Sequence, residues 1–162
     1  MRISLDIDGL LTSPVTTFPL EDRRWPALVH RWAEPLRLGT PQLVAELKRR
    51  RAQVWIYTTS GRGPRYIQCW LRLFGIRVDG VINDDRHRRA VADLTFARQP
   101  SKYPPVFGID LHVDDSAGVL QEGNELGYHV LVIQEDDTHW VEAILTAVDS
   151  FPLLRNSRSS LS

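Results

Sequence analysis

The stretch MRISLDIDGLLT at the start constrains this chain more than any other. Ile3, Leu5 and Ile7 alternate with polar neighbours, the two-residue period of a half-buried strand. The run closes on Asp6 and Asp8, and Gly9 follows where the backbone must turn. Two carboxylates at i and i+2 therefore crowd one strand tip. Like charges that close repel and raise each other's proton affinity. Such an arrangement calls for a compensating cation, and a divalent metal with oxygen ligands is the usual one.

The rest of the chain alternates between two periodicities. Val54 to Thr59 is β-branched and aromatic and reads as a second strand, 78–83 as a third, 111–114 as a fourth and 128–133 as a fifth. Between them lie helical patterns. Thr40-Pro41 reads as an N-cap and first turn, with Leu43, Val44 and Leu47 as the apolar face. Lys48 to Arg51 close that helix as cations on its dipole rather than as a nucleic-acid patch. Pro64 opens a helix with Ile67, Trp70, Leu71 and Phe74 inside, and Gly75 ends it; Cys69 reads as a small packed side chain on it. A helix is expected over 90–97, another after Ser116 up to Gly127, and a last one over 138–148. The expected fold is a three-layer α/β/α Rossmann-like domain over 1–150, with a central parallel sheet of about five strands. Residues 13–40, broken by Pro14, Pro19, Pro26 and Pro35, read as a flap or lid-like excursion. Trp25, Leu28, Val29, Trp32 and Leu36 recur in it at the spacing of a short amphipathic helix. Residues 151–162 read as a flexible C-terminal tail.

Composition narrows the function classes. The chain has 162 residues, with 20 basic and 20 acidic side chains, so no net charge draws it to nucleic acid or an anionic membrane. A single cysteine leaves no room for a disulfide framework or a thiolate metal site. His30, His87, His129 and His139 show no metal-ligand spacing, and His112 reads as a satisfied histidine of the core or rim. Neither a secretory leader nor a membrane span is visible, which points to the cytoplasm.

In an open parallel sheet, ligands bind beyond the carboxyl ends of the strands. Four polar groups converge on that rim: Asp6 and Asp8, then Thr58-Thr59-Ser60, then Lys102, then Asp114-Asp115. In this order they resemble the four signatures of haloacid dehalogenase-superfamily phosphohydrolases. The first is Asp6-Ile7-Asp8-Gly9-Leu10-Leu11-Thr12, with the threonine slightly further off than in the shortest family form. The second is Thr58, for which Thr59 and Ser60 compete. The third is Lys102, for which Arg62, Arg65 or Arg98 could substitute. The fourth is Asp114-Asp115.

The resemblance implies a role for each. Asp6 would attack phosphorus and form an aspartyl-phosphate. Asp8 would protonate the leaving oxygen and then activate water. Thr58 would hydrogen-bond a phosphoryl oxygen, and Lys102 would neutralise charge on the nucleophile. Asp6, Asp114, Asp115 and the backbone carbonyl of Asp8 would hold Mg²⁺. Gly9, Thr59, Ser60, Arg62 and Arg65 are candidates for binding phosphate or substrate.

The intervals where family members insert a large cap have only about 30 residues to spare, below domain size. The resemblance then implies an open site. It would suit a phosphoprotein, a nucleic-acid end, or an oligomer whose neighbour supplies the lid. Trp25, Trp32 and Trp55 with Arg62 and Arg65 could line a groove, although a core role for the tryptophans is the plainer reading. The rival class is a non-catalytic module that binds phosphate or a partner without turnover.

Overall fold

The structure is a computed structural model that describes residues 1–159 apart from 16, 24, 27, 28, 30 and 31, and side chains up to Phe151. Five strands form one parallel sheet: β1 (Arg2–Leu5), β2 (Gln53–Tyr57), β3 (Gly80–Ile82), β4 (Leu111–Asp114) and β5 (Val130–Val132). Their spatial order is β3-β2-β1-β4-β5. In register, Leu5 lies between Ile56 and Val113. The chain winds outward from β1 to β3, then returns to β1's other side to lay down β4. The order therefore switches between β1 and β4, and the crevice there opens beside Asp6. This is the expected Rossmann-like α/β architecture.

The helices are α1 (Thr40–Arg49), α2 (Pro64–Leu73), α3 (Asp84–Val91), α4 (Ala117–Leu126) and α5 (Trp140–Ser159), with a 3-10 turn at Pro104–Phe107. Strand alternation sorts residues to two faces that differ in kind. One carries Ile3, Leu5, Val54 and Ile56, packed with Leu43, Leu47, Trp70 and Ile144 of α1, α2 and α5 into the main core. The other carries Ser4, Tyr57, Ile82 and His112; its apolar cluster is small, built on Tyr57, Ile82 and Ile109. Among the described residues no helix is long and apolar enough to cross a membrane.

Several local expectations are corrected. The helix expected over 90–97 runs over Asp84–Val91. Asn83 caps it, accepting from the Arg86 amide at 3.2 Å, while Asp84 and Asp85 occupy its first turn and Arg88 and Arg89 its last. Capping and dipole complementarity place this helix, not apolar spacing. Thr40 is not the cap of α1. Gly39 takes that position at φ 93°, and the buried Thr40 hydroxyl donates to the Arg37 carbonyl at 2.7 Å. Ser116 sits at the cap of α4 without a side-chain capping bond. α5 extends past the expected Val148 to Ser159. Cys69 is exposed, on the solvent side of α2.

In the excursion 13–40 Val29 is helical, with the Val29 and Ala33 amides donating to the carbonyls of Pro26 and Val29, and the flanking residues 27, 28, 30 and 31 of the expected helix, Leu28 and His30 among them, lie outside the described residues. The ends of the excursion zip together: Leu20 bridges Arg37 antiparallel, with Glu21 N–H to Leu36 O and Leu38 N–H to Pro19 O, each 2.8 Å. The Arg37 guanidinium is buried between the rings of Phe18 and Trp140 and donates to the carbonyls of Gln134, Glu135 and Asp137. A fixed cation thus fastens the excursion to the loop after β5. None of the three candidate groove tryptophans is fully buried. Trp25 sets its edge on Phe74, Trp32 is largely open and edge-on to Tyr66, and Trp55 lies under the guanidinium groups of Arg2 and Arg86.

Candidate active site

Asp6 follows directly on β1, and its amide still donates to Val113 O at 2.9 Å. The ladder therefore fixes it at the switch point. Gly9 turns the chain at φ 77°, a conformation that disfavours side chains. A Cβ there would lie 2.1 Å from Asp115 Oδ2. Glycine is thus required twice over, for the turn and for the Asp115 carboxylate packed against it. The turn closes with Gly9 N–H to Thr12 O and Thr12 N–H to Ile7 O.

Lys102 is the cation between the acids. Its ammonium is buried, 2.7 Å from Asp6 Oδ1 and 2.5 Å from Asp114 Oδ2. Lys102 lies in irregular chain, so its backbone needs support, and three buried side chains provide it. Tyr128 Oη donates to Lys102 O at 3.0 Å, Tyr57 Oη accepts from Tyr103 N at 2.8 Å, and His87 Nε2 meets Pro100 O at 3.2 Å. His87 Nδ1 in turn meets Tyr57 Oη at 2.6 Å.

The two carboxylates that share Lys102 are not equivalent. Burial pushes the Asp6 carboxyl up to about 7; Lys102 opposes the shift and the charge of Asp114 adds to it. Burial also acts to raise Asp114, but hydrogen bonds from His112 and Lys102 outweigh it and hold that carboxyl well below its usual range. The asymmetry follows from the donors. Asp114 Oδ2 accepts from Lys102 and His112, and its Oδ1 accepts from Ser116 N at 2.9 Å. Asp6 has Lys102 alone among these. Burial, and then the charge of Asp114, raise Asp115 as well.

Asp8 points the other way. Its Oδ2 lies 2.8 Å from Arg62 Nη1, and about half its side chain (48%) is open. Arg62 spends its Nε and Nη2 on Glu34, at 2.8 and 2.6 Å. Tyr66 donates to the same carboxylate at 2.9 Å, and Trp70 Nε1 donates to the Glu34 carbonyl at 2.8 Å. The excursion thus reaches the rim beside Asp8 through Glu34.

Among the other candidates, Thr58 is buried at the end of β2, and its Oγ1 accepts from Ser60 N at 3.1 Å. Thr59 is exposed and Ser60 half-buried beside it; Arg65 is exposed on the first turn of α2. Thr59 also borders a surface groove of about 540 Å³ formed with α3 and Gln99 to Ser101. Arg98 is exposed at another groove with Gln121 and Glu125, away from the carboxylates.

One oxygen from each of Asp6, Asp114 and Asp115 lies within 4.8 Å of the others. The donor set fits Mg²⁺: hard oxygens only, two of them buried, three carboxylates against one ammonium. An ion there would relieve the burial of the Asp6 charge.

Glu34, His112 and the Tyr57–His87–Tyr128 group were not read as site residues from the sequence. His112 carried a usable signal, since it stands two residues before Asp114 on the same strand face, as Ser4 stands before Asp6. Glu34 carried none, lying in irregular chain with no periodicity.

No protein-family model matches the chain, and no curated protein matches it. Among solved structures it is similar to the crystal structure of a CbbY mutant from Rhodobacter sphaeroides in complex with xylulose-(1,5)bisphosphate. That match has TM-score 0.48 and 14% identity, over 82% of this chain and 85% of that one. It is also similar to a predicted HAD-like family hydrolase from Porphyromonas gingivalis, with TM-score 0.48 and 14% identity, over 91% of this chain and 97% of that one.

Proposed function

We propose that this chain is a Mg²⁺-dependent phosphatase that hydrolyses phosphomonoesters through an aspartyl-phosphate on Asp6. The observation that carries the reading is the buried Lys102 ammonium between Asp6 and Asp114, with Asp115 in the same cluster. A phosphate ester entering from the rim meets Asp6 at the switch point. An Asp6 oxygen attacks phosphorus, and the bond from phosphorus to the leaving oxygen breaks. Asp8 gives its proton to that oxygen, releasing an alcohol. Asp8 then takes a proton from water as the water oxygen attacks phosphorus, the Asp6–phosphorus bond breaks, and inorganic phosphate leaves. Bound between Asp6, Asp114 and Asp115, Mg²⁺ would offset the charge of the carboxylates and phosphoryl oxygens. Lys102 offsets charge on Asp6, and the Thr58 hydroxyl donates to a phosphoryl oxygen.

The half-open Asp8 and the groove at Thr59 favour a leaving group attached to something large, a phosphoprotein or a nucleic-acid end. A panel of small phosphate esters, phosphopeptides and 3′- or 5′-phosphorylated oligonucleotides tests the reading, with phosphate release as the measurement. Release is expected with Mg²⁺ and is expected to stop with EDTA. No release from any class, with calorimetry detecting phosphate or phosphopeptide binding, would favour the non-catalytic module instead.

A further inference from the structure

The polar face of the sheet holds a line of three buried side chains beneath the candidate metal cluster. Ser4 on β1 lies opposite His112 on β4, and Ser4 Oγ is 2.8 Å from His112 Nδ1. His112 Nε2 is 2.8 Å from Asp114 Oδ2. Ser4 and His112 have no exposure at all, and Asp114 has 1%. We propose that His112, held by Ser4, is a positioning residue that aims the Asp114 carboxylate at the divalent cation and at Lys102. The inference rests on the phosphatase reading above.

The chemistry of the donors orders the line. An ionised carboxylate only accepts, so His112 Nε2 carries the hydrogen and donates to Asp114. In a neutral ring Nδ1 is then bare and accepts from the Ser4 hydroxyl. With Nε2–H and Lys102 both on Oδ2 and the Ser116 amide on Oδ1, the Asp114 carboxylate cannot rotate. A lone pair of Oδ1 remains for a cation.

Packing alone does not call for this residue. Leu111 and Val113 beside it are apolar, and an apolar side chain at 112 would fill the face without burying two polar nitrogens. What the imidazole adds is a fixed donor to a candidate metal ligand. Partners of this kind, acting on a ligand and not on the metal, typically change affinity by about 10–100-fold.

The test uses two variants of matched polarity. Gln at 112 puts an amide nitrogen near the place of Nε2, whereas Asn is too short to reach Asp114. Mg²⁺ binding is followed by calorimetry on the resting full-length protein, alongside kcat and KM for the best phosphate ester. His112→Asn is expected to weaken Mg²⁺ affinity about 10–100-fold and to lower kcat, with KM at saturating Mg²⁺ little changed. His112→Gln is expected to stay within about threefold of wild type, well inside that range. Ser4→Ala, a milder change that serves should either histidine variant fail to fold, is expected to weaken affinity severalfold. Equal affinities in the Asn and Gln variants, or wild-type affinity in Ser4→Ala, would overturn the inference and leave the phosphatase reading standing. A wild-type protein that binds no divalent cation would overturn both.

Discussion

Asp6 and Asp8 are the same residue type two positions apart, and they sit in different media. Asp6 is 6% exposed, facing a buried ammonium and a second buried carboxylate. Asp8 keeps half its side chain in water and leans on Arg62, itself shared with Glu34. In the first half of the site each charge acts through a low effective dielectric, so the contacts are strong and mutually dependent. In the second half water screens the pair. The difference suits the proposed division of work. A nucleophile must be held still, whereas a residue that gives and takes protons must meet both leaving group and water.

The comparison breaks most visibly at Asp6. Asp6→Asn should lower phosphate release by ~10³-fold or more, since a group that acts as part of a unit takes most of the rate with it. Its thermal midpoint at pH 8 without metal should be unchanged or higher, because an amide replaces a carboxylate that burial disfavours. Turnover at the wild-type rate would rule out the covalent route. Lys102→Met should come next, destabilising the metal-free protein by about 3–5 kcal/mol in urea unfolding, the cost of leaving buried charges unpaired. Arg62→Met should cost less, about 1 kcal/mol, because water still reaches Arg62, Glu34 and Asp8 and screens their charges. Equal costs at Lys102 and Arg62 would erase the contrast between the halves.

The same contrast marks what could be read without coordinates. The apolar face was legible because burial imposes periods: Ile3 and Leu5 at two residues, Ile67, Trp70 and Leu71 at helical spacing. The carboxylates were legible because β-strand ends are where a parallel sheet places its ligands. Lys102 was recoverable from its order between signatures, although the chain around it has no regular structure. Its support by Tyr57, His87 and Tyr128 was not, because those bonds span 13 to 46 positions of the sequence. Glu34 was invisible for a related reason. It belongs to no periodic element, and only the zipping of 20–21 against 36–37 and the anchoring of Arg37 bring it to the rim. The helix α3 was misplaced because its signal is capping and charge, not hydrophobic spacing.

On the open half a smaller effect is expected. Arg62 uses three nitrogens, two on Glu34 and one on Asp8, a planar fork that a lysine cannot reproduce. Arg62→Lys should lower kcat about tenfold while shifting stability by no more than about 1 kcal/mol. Glu34→Gln should do less, since it leaves the Arg62–Asp8 contact in place. A loss of stability in Arg62→Lys as large as that in Lys102→Met would mean the rim is as tightly coupled as the buried half.

The smallest expected effect is a pH slope, and it again separates the halves. Burial lowers the pKa of His87 and takes His112 down to about 4. For groups whose folded pKa lies below the unfolded value of about 6.5, stability is present above that pH and is lost as the pH falls. Asp6 has the opposite sign. Its folded pKa is raised to about 7, so its contribution is present below the unfolded carboxylate range and is lost as the pH rises towards 7. Between pH 7 and 5 the protonation of Asp6 therefore offsets the loss from the histidines in the metal-free protein. Glu34 does not enter this window. Burial would raise it, but the bonds from Arg62 and Tyr66 outweigh burial and hold it below the ordinary carboxylate value. Metal-free thermal melts at pH 7.5 and pH 5 read the difference. Asp6→Asn, which removes the offsetting group, should lose about 2–4 °C more than wild type on acidification, the scale of 1 kcal/mol in a domain of this size. A steeper loss in wild type would reverse the sign assigned to Asp6 and place its charge in the open half.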